Sequence, residues 1–171
     1  VVQMFVIPSQ SMENTLLVHD RVAVQKIVGF QRGDIVVFRD TQNWLLPVKA
    51  KDDPFQKALI FIGLAPDEST GHLIKRVIGV AGDHVTCCDA RGRVTVNGSA
   101  LNEADYLFTD PTTGKQVDPS SVAFDVVVPA GRVFVMGDHR NDSQDSRCHL
   151  SDETDSGAAG SAAFIPTENI V

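Results

Sequence analysis

Two serines near the start of the chain and one lysine in an apolar segment are the residues best suited to covalent chemistry. Ser9 and Ser11 lie in a short polar stretch, and Lys75 lies between Ile74 and Val77 in an apolar run. A serine hydroxyl is a weak nucleophile at neutral pH and needs a neighbouring base. Burial lowers the pKa of a lysine, so that its neutral amine could accept that proton. Taken separately, the serines are also typical of a turn, and most lysines are solvated.

The densest polar stretch covers residues 137–147 and follows an apolar segment, Val133–Met136. Its Ser, Asp and Arg side chains are typical of a solvated loop, but they would equally suit a loop that orients catalytic groups. The residue types alone favour neither interpretation. A lysine that acts as base needs its pKa lowered from about 10.4 to about 8, which corresponds to about 2 to 3 kcal/mol against the ammonium. Its hydrogen-bond partners must therefore be neutral hydroxyls, because a carboxylate in contact would favour the ammonium.

Alternating apolar residues and Gly/Pro turns predict a mostly β protein with several short strands. Few helical signals occur, and a short helix is predicted for 11–17. The pattern is typical of a sandwich or a partly open barrel. Strands are predicted at 21–28, 35–38, 73–80, 84–87, 93–96 and 132–136, with one more ending at 128.

Composition excludes several classes of protein. The 171 residues are 43% hydrophobic, which is enough for a globular core, and the net charge is −7. The 15 Lys and Arg residues are scattered, so we expect no nucleic-acid partner. No apolar run is long enough for a transmembrane helix. The chain opens on strand-like sequence from Val1, which fits either trimmed ends or a removed membrane anchor.

Three cysteines occur, at Cys87, Cys88 and Cys148. Their spacing does not fit a zinc site, and we expect no metal and no cofactor. Free cysteines usually serve as small buried hydrophobic residues, and this is the simplest interpretation of all three. In an oxidising compartment, Cys148 could form a disulfide with either Cys87 or Cys88.

Four motifs, taken together, are far more specific than any one of them. The motifs are Pro-Ser-x-Ser-Met-x-x-Thr-Leu at 8–16, Gly-Asp-Ile-Val-Val-Phe at 33–38, Lys-Arg-(apolar)-x-Gly-x-x-Gly-Asp at 75–83 and Gly-Asp-x-Arg-x-x-Ser-x-Asp-Ser-Arg at 137–147. With these four motifs in this order, the sequence closely resembles bacterial type I signal peptidases. The sequence departs from the family pattern at Asn14, where proline is common, and at His139, where asparagine is common.

The resemblance implies a Ser/Lys dyad. Ser11 matches the nucleophile and Lys75 the general base, while Ser9 matches a hydroxyl that donates to the oxyanion. Three further matches orient or support the dyad, namely Ser143 through a hydrogen bond to the lysine, and Asp145 with Arg147 as an ion pair. His139 is placed in a supporting loop rather than as a base.

The same resemblance implies a signal-peptidase-type catalytic β-core of antiparallel sheets with a smaller inserted β region. The core would comprise 1–40, 72–88 and 123–171, with an insertion loop at 41–71 and an inserted hairpin or cap region at 89–122. The substrates implied are signal peptides of secretory preproteins, cut after small residues. The apolar pockets would be formed by Phe5, Ile7, Pro8, Met12, Leu16 and Ile74, with a strand edge at 5–7 for peptide pairing.

The resemblance also implies a membrane-associated protein whose catalytic domain lies on the extracytoplasmic side and meets the lipid surface. Trp44-Leu45-Leu46-Pro47 is one candidate for lipid contact, because tryptophan favours the interface. A small satellite core under the loop is the other interpretation of this patch, and the sequence does not decide between them.

Two other functions remain open at this point. A self-cleaving repressor-type peptidase uses a related Ser/Lys dyad, but no basic recognition helix is visible here. A non-catalytic β-domain that binds peptides would share the strand pattern. Acylation of Ser11 by a serine-directed reagent would separate the second from either enzyme.

Overall fold

The computed structural model describes residues 2–26, 28–45, 71–153 and 157–171, and these are mostly β. All the strand pairings are antiparallel, as the alternating patterns predict. The strands are β1 (Val2–Val6), β2 (Arg21–Gln25), β3 (Ile35–Arg39), β4 (His72–Val80), β5 (His84–Cys87), β6 (Thr95–Val96), β7 (Ser99–Ala100), β8 (Phe124–Val127), β9 (Arg132–Met136) and β10 (Ile165–Pro166). Short 3-10 helices cover Ser146–His149, Ser161–Ala163 and Thr167–Asn169.

The strands form three sheets. β1 and β2 make a two-stranded sheet, and the two four-stranded sheets have the orders β10-β9-β4-β3 and β7-β6-β5-β8. β4 is the longest strand and lies at the interior of its sheet, between β3 and β9. β3 pairs with the first half of β4, from His72 to Arg76, and β9 pairs with the second half, from Arg76 to Val80.

The core divides into three clusters around the sheet that contains β4. Phe134 and Ile78 pack with side chains of the β5–β8 sheet. Phe38 and Val77 belong to a second cluster. Ile7 joins β3 and β4 residues in a third, which fixes the β1–β2 sheet beside β4. The chain that leaves β1 is therefore brought next to the middle of β4.

Trp44 belongs to the core. Its side chain is buried, its indole Nε1 donates to the Ala162 carbonyl at 2.8 Å, and its ring stacks on His149 with centroids 4.7 Å apart. The hypothesis of lipid contact is therefore wrong for Trp44, because its indole N–H has an acceptor inside the protein and its ring is packed there. Leu45 is 38% exposed, and Leu46 and Pro47 lie outside the described residues, as does most of the predicted insertion loop.

The cysteines also differ from expectation. Cys87 at the end of β5 is paired with its neighbour Cys88, and Cys148 is free and exposed. A disulfide from Cys148 to either of the other two is therefore wrong. Cys148 lies on a 3-10 helix beside the polar loop 137–147.

In the described ranges, the structure has no helix with the length and apolar character needed to cross a bilayer.

The segment after β1 differs from the predicted short helix. Residues 11–16 form consecutive turns, with Leu16 N–H donating to the Met12 carbonyl at 2.8 Å.

Candidate active site

The turn after β1 presents Ser11 to the centre of the sheet. Glu13 N–H donates to the Gln10 carbonyl at 3.0 Å, and His139 N–H donates to the Ser11 carbonyl at 3.0 Å. These bonds hold the serine from both its own turn and a neighbouring loop. Ser11 is 6% exposed, which is unusual for a hydroxyl residue in a turn and indicates a buried polar site.

Lys75 on β4 reaches this serine. It is only 3% exposed, and its Nζ lies 2.5 Å from Ser11 Oγ in a hydrogen bond that joins residues 64 positions apart. Lysine is almost never fully buried unless it is paired. The predicted Ser/Lys contact is present, and it places a hydroxyl and an amine within proton-transfer distance.

The electrostatic surroundings favour a neutral amine on Lys75. Burial lowers the pKa of Lys75 from 10.5 to about 8, and this effect outweighs the opposing charges of Asp145 and Asp138. The Arg147 guanidinium also lowers it. A substantial fraction of Lys75 is therefore deprotonated at mildly alkaline pH, as a general base requires.

Asp145 and Arg147 form the predicted ion pair. Arg147 donates from Nε to Asp145 Oδ1 at 2.9 Å and from Nη2 to Oδ2 at 2.8 Å, and both side chains are buried. Burial would raise the pKa of the Asp145 carboxyl, but the hydrogen bonds and charge of Arg147, with donors from Gly137 and Ser143, hold it below its ordinary value. The guanidinium thus offsets the carboxylate charge that would otherwise keep Lys75 protonated.

Ser143 does not make the predicted hydrogen bond to Lys75. Its hydroxyl donates to Asp145 Oδ2 at 2.8 Å, because a buried carboxylate is a stronger acceptor than an amine that is itself a donor to Ser11. A Cβ added at Gly137 would lie 2.2 Å from Ser143 Oγ and 2.5 Å from the Ser11 carbonyl oxygen. Ser143 therefore lies close to the backbone of Ser11 across a glycine that leaves no room for a side chain.

Ser9 lies beside the candidate nucleophile. It is exposed, and its Oγ donates to Ser11 Oγ at 3.4 Å. A hydroxyl in this position can turn toward a developing oxyanion, since its proton rotates freely. The structure brings Ser9, Ser11 and Lys75 together, while the role of each in a reaction remains a prediction.

A second buried ion pair was not expected from the sequence. Asp138 is fully buried and accepts from Arg76 Nε at 2.8 Å and Nη2 at 2.6 Å. Thr15, near the end of the turn formed by residues 11–16, donates its hydroxyl to Asp138 Oδ2 at 2.5 Å. One carboxylate therefore connects the neighbour of Lys75 to the turn that carries Ser11. The opposite charges in the Lys-Arg and Gly-Asp motifs were the only signal in the sequence for this contact.

A third ion pair connects the predicted cap region to the polar loop. Arg140 donates from Nη2 to Glu103 Oε1 at 2.6 Å, and both side chains are at most 3% exposed. Arg140 also donates from Nε to the Gly137 carbonyl at 2.8 Å. Glu103, in the predicted cap region 89–122, thus supports the loop next to Ser11, although the boundary of that region as a separate unit stays a prediction.

A cavity of about 540 Å³, lined by apolar side chains and also by Lys26 and Asp34, opens between β2 and β3. Two predicted pocket residues, Leu16 and Ile74, line it. Ile7 and Met12 are 1% and 0% exposed, so they form core beneath the site and are not accessible walls in this structure. Phe5 is half-buried against the same cluster, and Pro8 is exposed. Side chains of Val22, Val24, Ile35 and Val37 complete the apolar lining.

The cost of burying Lys75 gives a testable prediction about stability. Its pKa is lower in the folded than in the unfolded protein, so folding disfavours the charged form below pH 8 and this cost disappears as pH rises through 10.5. The values 10.5 and about 8 correspond to about 3 kcal/mol. We expect Lys75→Met to raise the free energy of unfolding at pH 7 by up to that amount, with a gain that shrinks above pH 8.

Urea unfolding of the parent and of Lys75→Met at several pH values measures this effect. Lys115→Met is the matched control, because Lys115 is exposed and its removal should change stability little. A destabilised Lys75→Met, or a gain that is independent of pH, would contradict a buried lysine with a lowered pKa.

Comparison with known proteins places this chain in a family. The model of the signal peptidase, peptidase S26, family matches residues 1–171. Signal peptidase I of Mycobacterium tuberculosis is 41% identical over 170 residues, covering 87% of this chain and 56% of that protein. The probable signal peptidase I of Mycobacterium leprae is 37% identical over 175 residues, covering 88% and 57% respectively.

A solved structure supports the same fold. The crystal structure of a signal peptidase I from Enterococcus faecalis V583 matches with a TM-score of 0.52 and 23% identity, covering 85% of this chain and 96% of that one. The chain therefore belongs to the signal peptidase, peptidase S26, family. It spans a little over half the length of the two mycobacterial relatives.

Proposed function

We propose that this protein is a membrane-associated serine endopeptidase that removes signal peptides from secreted preproteins after small residues. The observation that carries the proposal is the contact of 2.5 Å between two buried side chains, Ser11 and Lys75. A buried hydroxyl with a buried amine whose pKa is lowered to about 8 is the arrangement that nucleophilic catalysis by serine requires. Membership of the signal peptidase family supports the choice of substrate.

In the proposed reaction, neutral Lys75 accepts the hydroxyl proton of Ser11 while Ser11 Oγ attacks the scissile carbonyl carbon. The oxyanion accepts hydrogen bonds from Ser11 N–H and the Ser9 hydroxyl. Contacts of this type are worth about 3 kcal/mol in other proteases. The Lys75 ammonium then gives its proton to the leaving amine as the C–N bond breaks, which leaves an acyl group on Ser11.

Deacylation uses the same pair. Lys75, neutral again, accepts a proton from water while the water oxygen attacks the ester carbonyl. The tetrahedral intermediate collapses, Ser11 Oγ leaves with the proton held by Lys75, and the carboxylic acid product is released and loses its proton to solvent. The lysine thus serves as base and acid in turn, for which a pKa close to the working pH is best suited.

Strand pairing suggests where an extended substrate would bind. β3 pairs with β4 from His72 to Arg76, whereas the β9 ladder begins only at Arg76. Within the described strands, residues 73–75 of β4 are therefore paired on the β3 side only, and β1 pairs with β2 alone. A peptide strand placed along these edges would pass directly over Lys75 and Ser11, by β-augmentation.

Two aliphatic side chains of the neighbouring cavity lie beside this path. Ile74 lies one residue before the base, and both Ile74 and Leu16 line the cavity. We propose that these walls receive the small side chains at the first and third positions before the scissile bond.

We also propose that the protein lies at a lipid surface on the extracytoplasmic side, through β1 instead of Trp44. Val2 and Met4 on β1 are 61% and 50% exposed, and this strand leads directly to Ser11. Exposed apolar side chains next to an active site are typical of an interaction surface. With a net charge of −7, attachment should be hydrophobic and insensitive to salt.

Liposome co-sedimentation tests the lipid surface. We expect the bound fraction to fall for Val2→Ser/Met4→Ser and to stay unchanged for Val127→Ser, a control at a 62% exposed valine on β8. Equal binding by the parent and the β1 variant, or binding that disappears with added salt, would contradict lipid contact through β1.

Cleavage of a defined peptide tests the proposed function itself. The protein is incubated with a signal-peptide substrate that has Ala at the first and third positions before the expected bond, and with a copy that has Trp at the third position. We expect one cut, after the Ala, in the first peptide only, as located by mass spectrometry. A folded protein that cuts neither peptide would favour a peptide-binding domain, and one that cuts only its own chain would favour a self-cleaving peptidase.

A further inference from the structure

His139 contacts the backbone of the turn that carries Ser11 through both its own backbone and its side chain. Its backbone N–H donates to the Ser11 carbonyl at 3.0 Å, and its Nδ1 lies 3.2 Å from the Gln10 carbonyl oxygen. The Glu13 carboxylate is 3.7 Å from the same nitrogen. One residue therefore holds both the Gln10 carbonyl and the Ser11 carbonyl. The Gln10 carbonyl shares a peptide plane with the Ser11 N–H, which is the proposed oxyanion donor.

The direction of the side-chain bond follows from acceptor chemistry. A carbonyl oxygen can only accept, so Nδ1 must carry the proton in the bond to Gln10. Both the neutral tautomer with a proton on Nδ1 and the charged imidazolium supply this donor. In this bond Nδ1 is therefore not free to act as a base toward Ser11.

The ring of His139 is fixed by Phe108 from the predicted cap region. The two rings are stacked with centroids 3.7 Å apart and an angle of 17° between their planes. Phe108 N–H also donates to the Asp138 carbonyl at 3.1 Å, so backbone and ring are both held. The His139 side chain is only 12% exposed. Its Nδ1 is thus directed at Gln10 by packing, without the freedom of a surface histidine.

We propose that His139, held by Phe108, is a positioning residue that sets the orientation of the Gln10–Ser11 peptide and hence of the oxyanion donor. This inference rests on the proposed function, since it concerns the geometry of that reaction. Small displacements of a catalytic group have large effects on rate, because a misplacement of about 1 Å can cost about 100-fold. The side chain acts through the backbone and touches neither Ser11 Oγ nor Lys75 in any described contact.

Three variants separate the hydrogen bond from the packing. His139→Phe keeps a flat ring against Phe108 but removes the donor to Gln10. His139→Asn keeps an N–H donor at a similar distance from the backbone and removes the ring. Phe108→Ala keeps the donor and removes the ring that orients it. Thermal unfolding of each variant shows whether it is folded under assay conditions.

Steady-state cleavage of the signal-peptide substrate is the readout. We expect His139→Phe to lower kcat by about 10- to 100-fold with KM within about threefold of the parent. The reason is that the Ser11 N–H, which His139 orients, stabilises the oxyanion in the transition state. His139→Asn should restore kcat to within about threefold of the parent, and Phe108→Ala should fall between the two. The midpoint of the pH profile should not move, because Lys75 remains the base.

Several results would overturn the inference. It is wrong if folded His139→Phe cleaves at the parent rate, if His139→Asn loses as much as His139→Phe, or if the loss appears in KM alone. Ser11→Ala in the same assay separates this failure from failure of the proposed function. If Ser11→Ala is inactive and His139→Phe is fully active, only the positioning role fails. If Ser11→Ala is as active as the parent, the proposed function fails and the inference falls with it.

Discussion

Replacement of Ser11 or Lys75 by alanine is expected to reduce kcat for signal-peptide cleavage by at least about 10⁴-fold. The physical reason is that the hydroxyl and the amine, 2.5 Å apart, act as one unit, and neither can form or transfer the acyl group without the other. The double variant should therefore be no worse than either single variant, which is the signature of non-additive catalytic residues.

Two other serines make this prediction specific. Ser9→Ala should cost less, about 100- to 1000-fold, because it removes one donor to the oxyanion and leaves the nucleophile in place. Ser99→Ala, at an exposed serine on β7, should cleave like the parent. Circular dichroism must show that each variant is folded. Near-normal activity of Lys75→Ala would remove lysine from the mechanism, and equal activity of all the serine variants would remove Ser11.

The pH dependence of cleavage is expected to follow the loss of a proton from Lys75. The reaction needs the neutral amine, and burial lowers the pKa of Lys75 to about 8, so kcat/KM should rise tenfold per pH unit below about 8 and become level above it. The sign follows directly, because acid protonates the base. Lys75→Arg should be inactive at every pH, since a guanidinium does not release its proton in the working range.

A histidine base would give a different profile. The rise would then be centred at about 6.5, the ordinary value for an imidazole, and His139→Ala would abolish it. The contact of Lys75 Nζ with Ser11 Oγ at 2.5 Å argues against this, because His139 has no described contact with that hydroxyl. A pH profile centred at about 6.5 in the parent and absent in His139→Ala would make the assignment of Lys75 as base wrong.

The strands and the contact between Ser11 and Lys75 were predictable from the sequence for different reasons. Strands such as β3, β4 and β9 follow from alternation and turn residues, which are local signals. Their lengths were less accurate, and β2 ends at Gln25, before the predicted residue 28. The proximity of Ser11 and Lys75 had no local signal at all, and only the resemblance of four ordered motifs pointed to it.

Contacts between distant polar residues were the part that the sequence could not supply. The bonds of Asp138 to Arg76 and Thr15 depend on how β4, the turn at residues 11–16 and the polar loop meet in space. The same holds for Glu103 and Arg140, which are 37 positions apart. Ser143 shows the limit of carrying a role over from a family, because its hydroxyl donates to Asp145 in this structure.

Trp44 illustrates why a hydrophobic patch in a sequence does not identify a surface. Both the lipid interface and a satellite core suit the tryptophan, and only the acceptor at Ala162 and the ring of His149 decide for the core. The exposure of Val2 and Met4 on β1, by contrast, had no signal in the sequence. Exposure depends on the partner sheet, and a period-two pattern alone does not contain that information.

Labelling of the protein with a fluorophosphonate over a range of pH tests the central claim most directly. Peptide mass spectrometry identifies the modified residue, and the rate of labelling measures the activation of its hydroxyl without any choice of peptide substrate. The account predicts a single adduct on Ser11, a rate that rises with a midpoint at about pH 8, and loss of that reaction in Lys75→Ala. An adduct on another residue, or labelling of Ser11 that is equally fast in Lys75→Ala, would contradict a serine nucleophile activated by a buried lysine.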